Sequence, residues 1–306
     1  MQIVRGHQLA DWAGAAVAIG NFDGVHVGHR ALVERAVAIA KARDLQAVAL
    51  TFDPHPSAVL GQGAPPRVAS LDRRCELLGA LGIDAVVVEP FTRELAALAP
   101  ETFVDEILLG ALRARAIVVG YDFHYGHARG GTTDTLRAHG ERTRTEIAIV
   151  APVEVDGVVA SSSKIRAALH AGDLASAERM LGRPWDVDGL VIHGAKRGRA
   201  IGIPTANIDP ASDLPLPLGI YAVTLACEGG PALPGVASLG TNPTFVEAGR
   251  PVLEVHVLDW DGDLYDRSVR TTFLARLRDE QKFDSVTALV AQIRRDIEAA
   301  RRIHGA

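Results

Sequence analysis

Short apolar runs alternate with amphipathic stretches over residues up to about 160, and that alternation restricts the fold more than any other feature of the chain. The strand-like runs are Val17–Gly20, Ala47–Phe52, Ala85–Glu89, Ala116–Gly120 and Ile147–Ala151. Helical periodicity fills the gaps at Arg30–Arg43, Leu71–Leu81, Glu101–Leu112 and Thr133–Arg142. Such alternation predicts a parallel sheet covered on both faces, because each crossover helix buries its apolar stripe against the strands. Ligands in these sheets bind beyond the carboxyl ends of the strands. Residues that carry chemistry are therefore expected just after strands.

After Leu181-Gly182-Arg183-Pro184-Trp185 the pattern changes. Helical periodicity fades and short β-like runs follow at Leu190–Ile192, Tyr221–Cys227, Gly235–Leu239, Leu253–Leu258 and Ser268–Phe273, punctuated by Gly and Pro. This predicts a small antiparallel barrel. The chain closes with an amphipathic helix carrying Val286, Leu289, Val290, Ile293 and Ile297 on one stripe, with Asp284 as expected N-cap and Gly305 as stop. The expected fold class is thus α/β plus β, with a parallel-sheet domain over 1–185 and a barrel domain with a terminal helix over 186–306. At 306 residues the chain is long enough for two such cores. Its net charge of −5 argues against a general nucleic-acid or acidic-membrane binder. The two cysteines, Cys75 and Cys227, fit neither a metal spacing nor a disulfide framework and suit a reducing cytoplasm. No apolar stretch is long enough to span a membrane, and the first residues lack the apolar core of a signal peptide.

The first strand–helix junction reads Gly20-Asn21-Phe22-Asp23-Gly24-Val25-His26-Val27-Gly28-His29. Gly20, Gly24 and Gly28 allow a sharp turn and close approach of a ligand to the backbone. Free N–H groups and the positive end of the helix dipole favour phosphate there. An isolated H-x-x-H reads better as two surface histidines on a tight turn than as a functional pair. Metal capture by His26, His29 and Asp23 is disfavoured, since Val27-Gly28 break the continuous helix that an H-E-x-x-H site needs.

Three further stretches follow strands in the first domain. Thr51-Phe52-Asp53-Pro54-His55-Pro56 is a stiff turn. Gly120-Tyr121-Asp122-Phe123-His124-Tyr125-Gly126, followed by Arg129-Gly130-Gly131, mixes rings that can stack with an arginine that can fork onto phosphate. Ser161-Ser162-Ser163-Lys164-Ile165-Arg166 opens a helix with hydroxyl and N–H donors beside positive charge. In the second domain no G-x-x-x-x-G-K-[ST] occurs, which removes a Walker-type phosphate loop. Instead the chain reads Gly189-Leu190-Val191-Ile192-His193-Gly194-Ala195-Lys196-Arg197-Gly198-Arg199-Ala200-Ile201-Gly202-Ile203-Pro204-Thr205-Ala206-Asn207. Taken alone, its cationic cluster is a solvated hairpin and Pro204–Asn207 an ordinary turn. Leu253–Leu258 places Glu254 and His256 on one strand face.

Together these motifs closely resemble the bacterial bifunctional riboflavin kinase/FAD synthetase family, in order and over nearly the whole chain. The decamer matches G-x-F-D-G-x-H-x-G-H, the serine stretch S-S-[ST]-x-I-R, and the long glycine segment the signature ending in P-T-A-N. The resemblance implies a Rossmann-like nucleotidyltransferase domain that adenylylates FMN, and a riboflavin kinase barrel that makes it. It implies ATP contacts from Gly20, Phe22, Asp23, Gly24, His26, His29, Ser162, Ser163 and Arg166, with His26, His29 and Arg166 catalytic. Pro54, Pro56, Asp122 and Phe123 would line the FMN pocket; His124 and His127 receive no role. In the kinase, Gly194, Lys196, Gly198, Gly202, Thr205 and Asn207 would bind ATP, with Thr205 and Asn207 holding Mg²⁺. Arg278 and Phe283 would meet the flavin, and Glu254 would be the base that the neutral riboflavin hydroxyl requires. The FMN phosphate is already an anion, so the adenylyl transfer needs charge stabilisation rather than a base. Departures from the pattern are Ala200-Ile201, Ser238 and Ser163, none of which removes a group the chemistry needs.

The implied partners are the small molecules ATP, riboflavin and FMN, with no nucleic acid or membrane, in the cytoplasm, as a monomer or transient homo-oligomer. Two other classes compete. A flavin-binding regulator without turnover is opposed by the intact Glu254, Thr205, Asn207, His26 and His29. A single-activity nucleotidyltransferase is opposed by the Pro204–Asn207 set.

Overall fold

The computed structural model describes residues 1–9, 11–61, 63–194, 198, 201–241 and 251–305. They form two compact units, Met1–Pro65 with Leu71–Ser161, and Pro66–Ser70 with Ser162–Ala306.

The first unit holds a six-stranded parallel sheet of β1 (Gln2–Arg5), β2 (Ala15–Ile19), β3 (Gln46–Asp53), β4 (Ala85–Pro90), β5 (Ala114–Gly120) and β6 (Glu146–Val150), in the order β1-β4-β3-β2-β5-β6. The five expected strands are present. β1 escaped the sequence reading because Gln2-Ile3-Val4-Arg5 has no apolar run; it is an edge strand with only Val4 buried. The two sheet faces differ in side-chain size. Ala16, Ala18, Ala47, Ala49 and Ala116 lie on the face that packs against Val33, Ala36, Val37 and Ala40 of the helix Val27–Arg43. Val17, Ile19, Val48, Leu50, Ile117 and Val119 lie on the other, against Phe103, Val104, Ile107 and Leu108. Small residues on one face let the crossover helix sit close to the strands that feed the decamer. The expected helix over Glu101–Leu112 is a short α-turn, Pro100–Thr102, running into a π-helix, Phe103–Ala111. A small hairpin, β7 (Glu154–Val155) and β8 (Val158–Val159), follows β6.

The second unit is a closed antiparallel barrel of β9 (Trp185–Ile192), β10 (Ala206–Pro210), β11 (Gly219–Cys227), β12 (Ala232–Thr241), β13 (Pro251–Val257) and β14 (Ser268–Asp279), closing as β10-β13-β12-β11-β14-β9. Trp185, Phe273 and Tyr221 fill its interior, with ring centroids 5.1 Å and 5.5 Å apart in successive pairs. The Trp185 indole N–H donates to the Val68 carbonyl at 2.8 Å. The helix Leu174–Leu181 packs against β9 and β14, so in packing terms it sits with the barrel, ahead of the 185/186 division drawn from periodicity. Pro204–Asn207 taken alone reads as an ordinary turn, but barrel closure pairs Ala206 onward with β9 and β13 as β10.

Two expectations for the terminal helix Val286–His304 are corrected. Its N-cap is Ser285, whose hydroxyl accepts from the Ala288 N–H at 3.1 Å, rather than Asp284. Val286 is exposed rather than part of the packed stripe, which is carried by Ile297 and Ala300 against Ile220, Ala222 and Val236. Gly305 ends the helix in the left-handed conformation, as expected.

Candidate active sites

In the first unit the chain leaves β2 at Ile19 and enters the helix Val27–Arg43 through a tight loop. Phe22 (φ +49°), Gly24 (φ +82°) and Val25 (φ +45°) are all left-handed. A β-branched residue there is strained by about 1–3 kcal/mol, and such strain persists only where surroundings over-determine it. Phe22 and Val25 are both buried, which locks the loop.

His26 is the helix N-cap. Its Nδ1 accepts from the backbone N–H groups of Gly28 (3.1 Å) and His29 (3.3 Å). Two N–H groups that the sequence reading left open to phosphate are therefore taken by an imidazole. With Nδ1 accepting, the proton of the neutral ring sits on Nε2. Gly28 leaves room for the capping ring, since a Cβ there would press on His26 Cε1 at 3.0 Å. The His29 ring stacks on His26, with centroids 3.6 Å apart and 22° between planes, while Phe22 meets it edge-on at 5.3 Å. Burial, then the neighbouring His26 and the Arg74 guanidinium, hold the His29 pKa well below the ordinary imidazole value. His29 Nδ1 is buried without a hydrogen-bond partner. The pair is thus a pre-oriented imidazole stack at the carboxyl end of β2, with the His29 ring held toward its neutral form.

The neighbouring strand β3 leads into a cis Asp53–Pro54 bond and the short helix Pro56–Val59. His55 Nδ1 accepts from the Ser57 N–H at 3.3 Å, and Asn21 Nδ2 lies 3.3 Å from His55 Nε2. Pro54 is exposed and Pro56 half-buried. After β5, Asp122 is exposed, and Phe123 stacks on the buried Tyr125 at 5.5 Å. His124 Nδ1 lies 2.8 Å from the Asp122 carbonyl. Among the described residues no group of three or more His, Cys, Asp or Glu is arranged to hold a metal. Ser162, Ser163 and Arg166 stand in the first turns of the helix Ser162–His170, part of the second unit, with Arg166 Nη2 donating to Ser163 Oγ at 3.3 Å.

In the barrel, Thr205, Asn207, Ser238, Glu254, Arg278 and Phe283 line one cavity of about 860 Å³, together with Gly198 and His256. The register explains part of this convergence. Asn207 of β10 is the Cα partner of Glu254 of β13, and Ser238 of β12 is its partner on the other side. His256 donates from Nδ1 to the Pro204 carbonyl at 2.7 Å, tying β13 to the segment that carries Thr205. A Cβ on Gly194 would stand 2.1 Å from Asn207 Nδ2, so that glycine lets the backbone pass beside the amide. Gly202 (φ +77°) lies just before that segment. Lys196, expected to bind ATP, lies outside the described residues, as do Arg197, Arg199, Ala200 and Pro243-Thr244-Phe245.

The sequence reading missed Asp296. It comes from the terminal helix and accepts from Arg278 Nε (3.0 Å) and Nη2 (2.8 Å), with Gln292 adding a donor at 2.8 Å. Arg278 is thereby held 5.8 Å over the Phe283 ring. Also missed was a second cavity of about 360 Å³ lined by Pro204, Thr205, Val257, Trp260 and Tyr265. Tyr265 stacks on His193 there, with centroids 4.2 Å apart. The sequence signal that could have found it is the pair of aromatics in the run Trp260-Asp261-Gly262-Asp263-Leu264-Tyr265.

Comparison with known proteins gives a consistent picture. The family model for FAD synthetase matches residues 8–164, and that for riboflavin kinase matches residues 181–304. A bifunctional riboflavin kinase/FMN adenylyltransferase of Pseudomonas fluorescens is 39% identical over 306 residues, covering 99% of this chain and 98% of its own. Those of Escherichia coli K12 (38%, covering 100% of this chain and 98% of its own) and Bacillus subtilis (35%, covering 99% and 97%) match similarly. A crystal structure described as a macrolide-efflux protein from Streptococcus pneumoniae aligns with TM-score 0.89 at 30% identity, covering 98% of this chain and 99% of that one. What that description says concerns that protein; the two chains share a fold over their whole lengths.

Proposed function

The chain belongs to the bifunctional riboflavin kinase/FMN adenylyltransferase family, and on that premise we propose how its own residues divide the two reactions. The enzyme phosphorylates riboflavin with ATP to give FMN, and adenylylates FMN with a second ATP to give FAD and pyrophosphate. The observation that carries the assignment of residues is the facing of Asn207 and Glu254 in one barrel cavity, remote in sequence from the stacked His26–His29 pair.

In the kinase step the riboflavin hydroxyl oxygen attacks the γ-phosphorus, the bond to ADP breaks, and the hydroxyl proton passes to the Glu254 carboxylate. Arg278 and Phe283 hold the flavin in the larger cavity, with Arg278 fixed by Asp296. The nucleotide lies on the other side of the Pro204–Asn207 segment, where Trp260 and Tyr265 offer apolar faces to adenine, and Thr205 borders both cavities. Gly194, Gly198 and Gly202 let the backbone pass close to the phosphates, and Lys196 adds charge. The oxygen donors of Thr205 and Asn207 suit a hard divalent cation, which supplies charge neutralisation at the phosphates when bound.

In the adenylyl transfer an FMN phosphate oxygen attacks the α-phosphorus and pyrophosphate leaves. His26 donates from Nε2 and His29 adds a neutral imidazole, both to phosphate oxygens, with Gly20, Phe22, Asp23 and Gly24 shaping the loop. Neutral donors fixed in advance stabilise the charge that builds up without reorganising. Ser162, Ser163 and Arg166 also act on ATP phosphates, and Pro54, Pro56, Asp122 and Phe123 receive the flavin. The cytoplasm, where ATP is abundant and Cys75 and Cys227 stay reduced, is the proposed compartment.

The test is to incubate the protein with riboflavin, ATP and Mg²⁺ and separate the flavins by chromatography. FMN should accumulate first and FAD follow; absence of both defeats the reading.

A further inference from the structure

The buried guanidinium of Arg74, so far only a charge that depresses the His29 pKa, also makes bonds of its own. Arg74 lies on the helix Leu71–Ala80 and is only 6% exposed. Its Nη1 donates to the Asn21 carbonyl at 2.5 Å and to Thr51 Oγ1 at 3.2 Å, and its Nη2 lies 4.0 Å from Asp53 Oδ1. The Thr51 hydroxyl, fully buried, donates to the same Asn21 carbonyl at 3.1 Å. Asn21 is the second residue after β2 and opens the loop to His26. Thr51 and Asp53 end β3 and open the Asp53–Pro56 loop.

We infer that Arg74 is a positioning residue for adenylyl transfer: its buried fork ties the carboxyl ends of β2 and β3 together and so sets the ATP loop and the Asp53–Pro56 loop relative to one another. Three physical points carry this. Burying a guanidinium is costly and needs partners that offset the lost hydration, which the two bonds of Nη1 and the nearby Asp53 carboxylate supply here. Nη1 reaches both strand ends while Nη2 faces Asp53 at 4.0 Å, a planar spread of donors that a compact ammonium on a flexible stem does not reproduce. The Asn21 carbonyl takes two donors, so the strained turn that follows it begins from a fixed point. An error of about 1 Å in placing reacting groups costs on the order of 100-fold in rate.

The inference rests on reading the Gly20–His29 loop as the adenylyl-transfer site, and the test keeps the two apart. Full-length Arg74→Gln, Arg74→Lys, Thr51→Val and His29→Ala proteins are assayed for FMN→FAD conversion and for riboflavin→FMN conversion, with thermal unfolding alongside. The expected result for Arg74→Gln is a fall in kcat for FAD formation of about 10- to 100-fold, with FMN formation unchanged. Thr51→Val, which keeps the guanidinium, should lose less than Arg74→Gln. Arg74→Lys should restore the charge but not the fork. In NMR titration its His29 ring should therefore keep a depressed pKa, while FAD formation stays impaired. In Arg74→Gln the same ring should titrate closer to the ordinary value, because one of its depressing charges is gone. Wild-type kcat and KM for FAD formation in a folded Arg74→Gln protein would overturn the inference. So would an equal fall in both activities, which marks a merely structural role. Should Arg74→Gln not fold, Arg74→Lys decides alone: full FAD formation without the fork also overturns it. If His29→Ala itself retains FAD formation, the site reading fails first.

Discussion

Asn207 of β10 stands opposite Glu254 of β13 as its Cα partner, which brings an amide and a carboxylate from positions far apart in sequence into one cavity. The two belong to adjacent antiparallel strands, so their spacing is set by the ladder rather than by a mobile loop. The proposed base, on a strand opposite the proposed phosphate-side ligand, would be held in register through turnover.

Glu254→Ala is therefore expected to lower FMN formation by at least about 100-fold, the usual weight of a positioned general base. FMN supplied from outside should still be converted to FAD. Separate chromatographic assays of the two steps measure this, and loss of both activities in a folded protein would contradict independent sites.

Gly194→Ala tests the glycine beside Asn207. A Cβ at 2.1 Å from Asn207 Nδ2 cannot be accommodated without moving the amide. Kinase activity should fall about 10-fold or more, and adenylylation of FMN should persist. An unchanged kinase kcat/KM would show that the Asn207 position is not needed.

His29→Ala should reduce FAD formation by about 100- to 1,000-fold, the cost of removing one pre-organised donor. FMN formation, carried by the barrel, should continue. Mass-balanced flavin chromatography distinguishes an enzyme that stalls at FMN from one that makes neither product.

The depressed pKa of His29 also fixes a sign for stability. The unfolded ring takes up a proton near pH 6.5, while the folded ring resists it. The unfolded state therefore binds more protons just below pH 6.5, and stability drops as pH falls from that value toward the folded pKa. Urea unfolding between pH 5 and 8 should show this slope in the wild type and a shallower one in His29→Asn. Identical slopes would mean that the ring titrates normally in the folded protein.

Asp296→Ala removes the buried partner of Arg278. Leaving one charge of such a pair uncompensated costs about 3–5 kcal/mol. A lower unfolding midpoint should accompany a raised KM for riboflavin. A raised midpoint with unchanged KM would show that the pair neither stabilises the fold nor positions the flavin side.

Much of the fold was legible in the sequence. β2 to β5 announce themselves because their central residues are buried on both faces and read as continuous apolar runs, and β6, a half-buried edge strand, still carries the run Ile147-Ala148-Ile149-Val150. β1 did not, since a four-residue edge strand buries only one side chain. β10 did not either: Asn207, just after Pro204, looks like a turn residue until β9 and β13 pair with it. The N-cap moved from Asp284 to Ser285 because both residue types cap well, and only the backbone direction selects between them.

The motif residues were legible too, since glycines, histidines and P-T-A-N occur in recognisable order. Their states were not. That His26 turns its Nδ1 onto two backbone N–H groups, so that its neutral ring carries the proton on Nε2, is a matter of φ, ψ and ring rotation. That Arg278 answers to Asp296, and Arg74 to Asn21, depends on chain segments meeting in space. An arginine on a predicted helix reads as surface charge, and nothing local says that it is buried.

The sequence alone determined the two-part architecture, the order of the motifs and the chemical types of the groups. Period and residue type are local properties, and local properties survive in a linear string. Only the tertiary structure decided which of those groups face one another, which nitrogen carries a proton and which buried cation holds a loop in place. Those outcomes follow from register, burial and long-range pairing, which no single stretch of sequence contains.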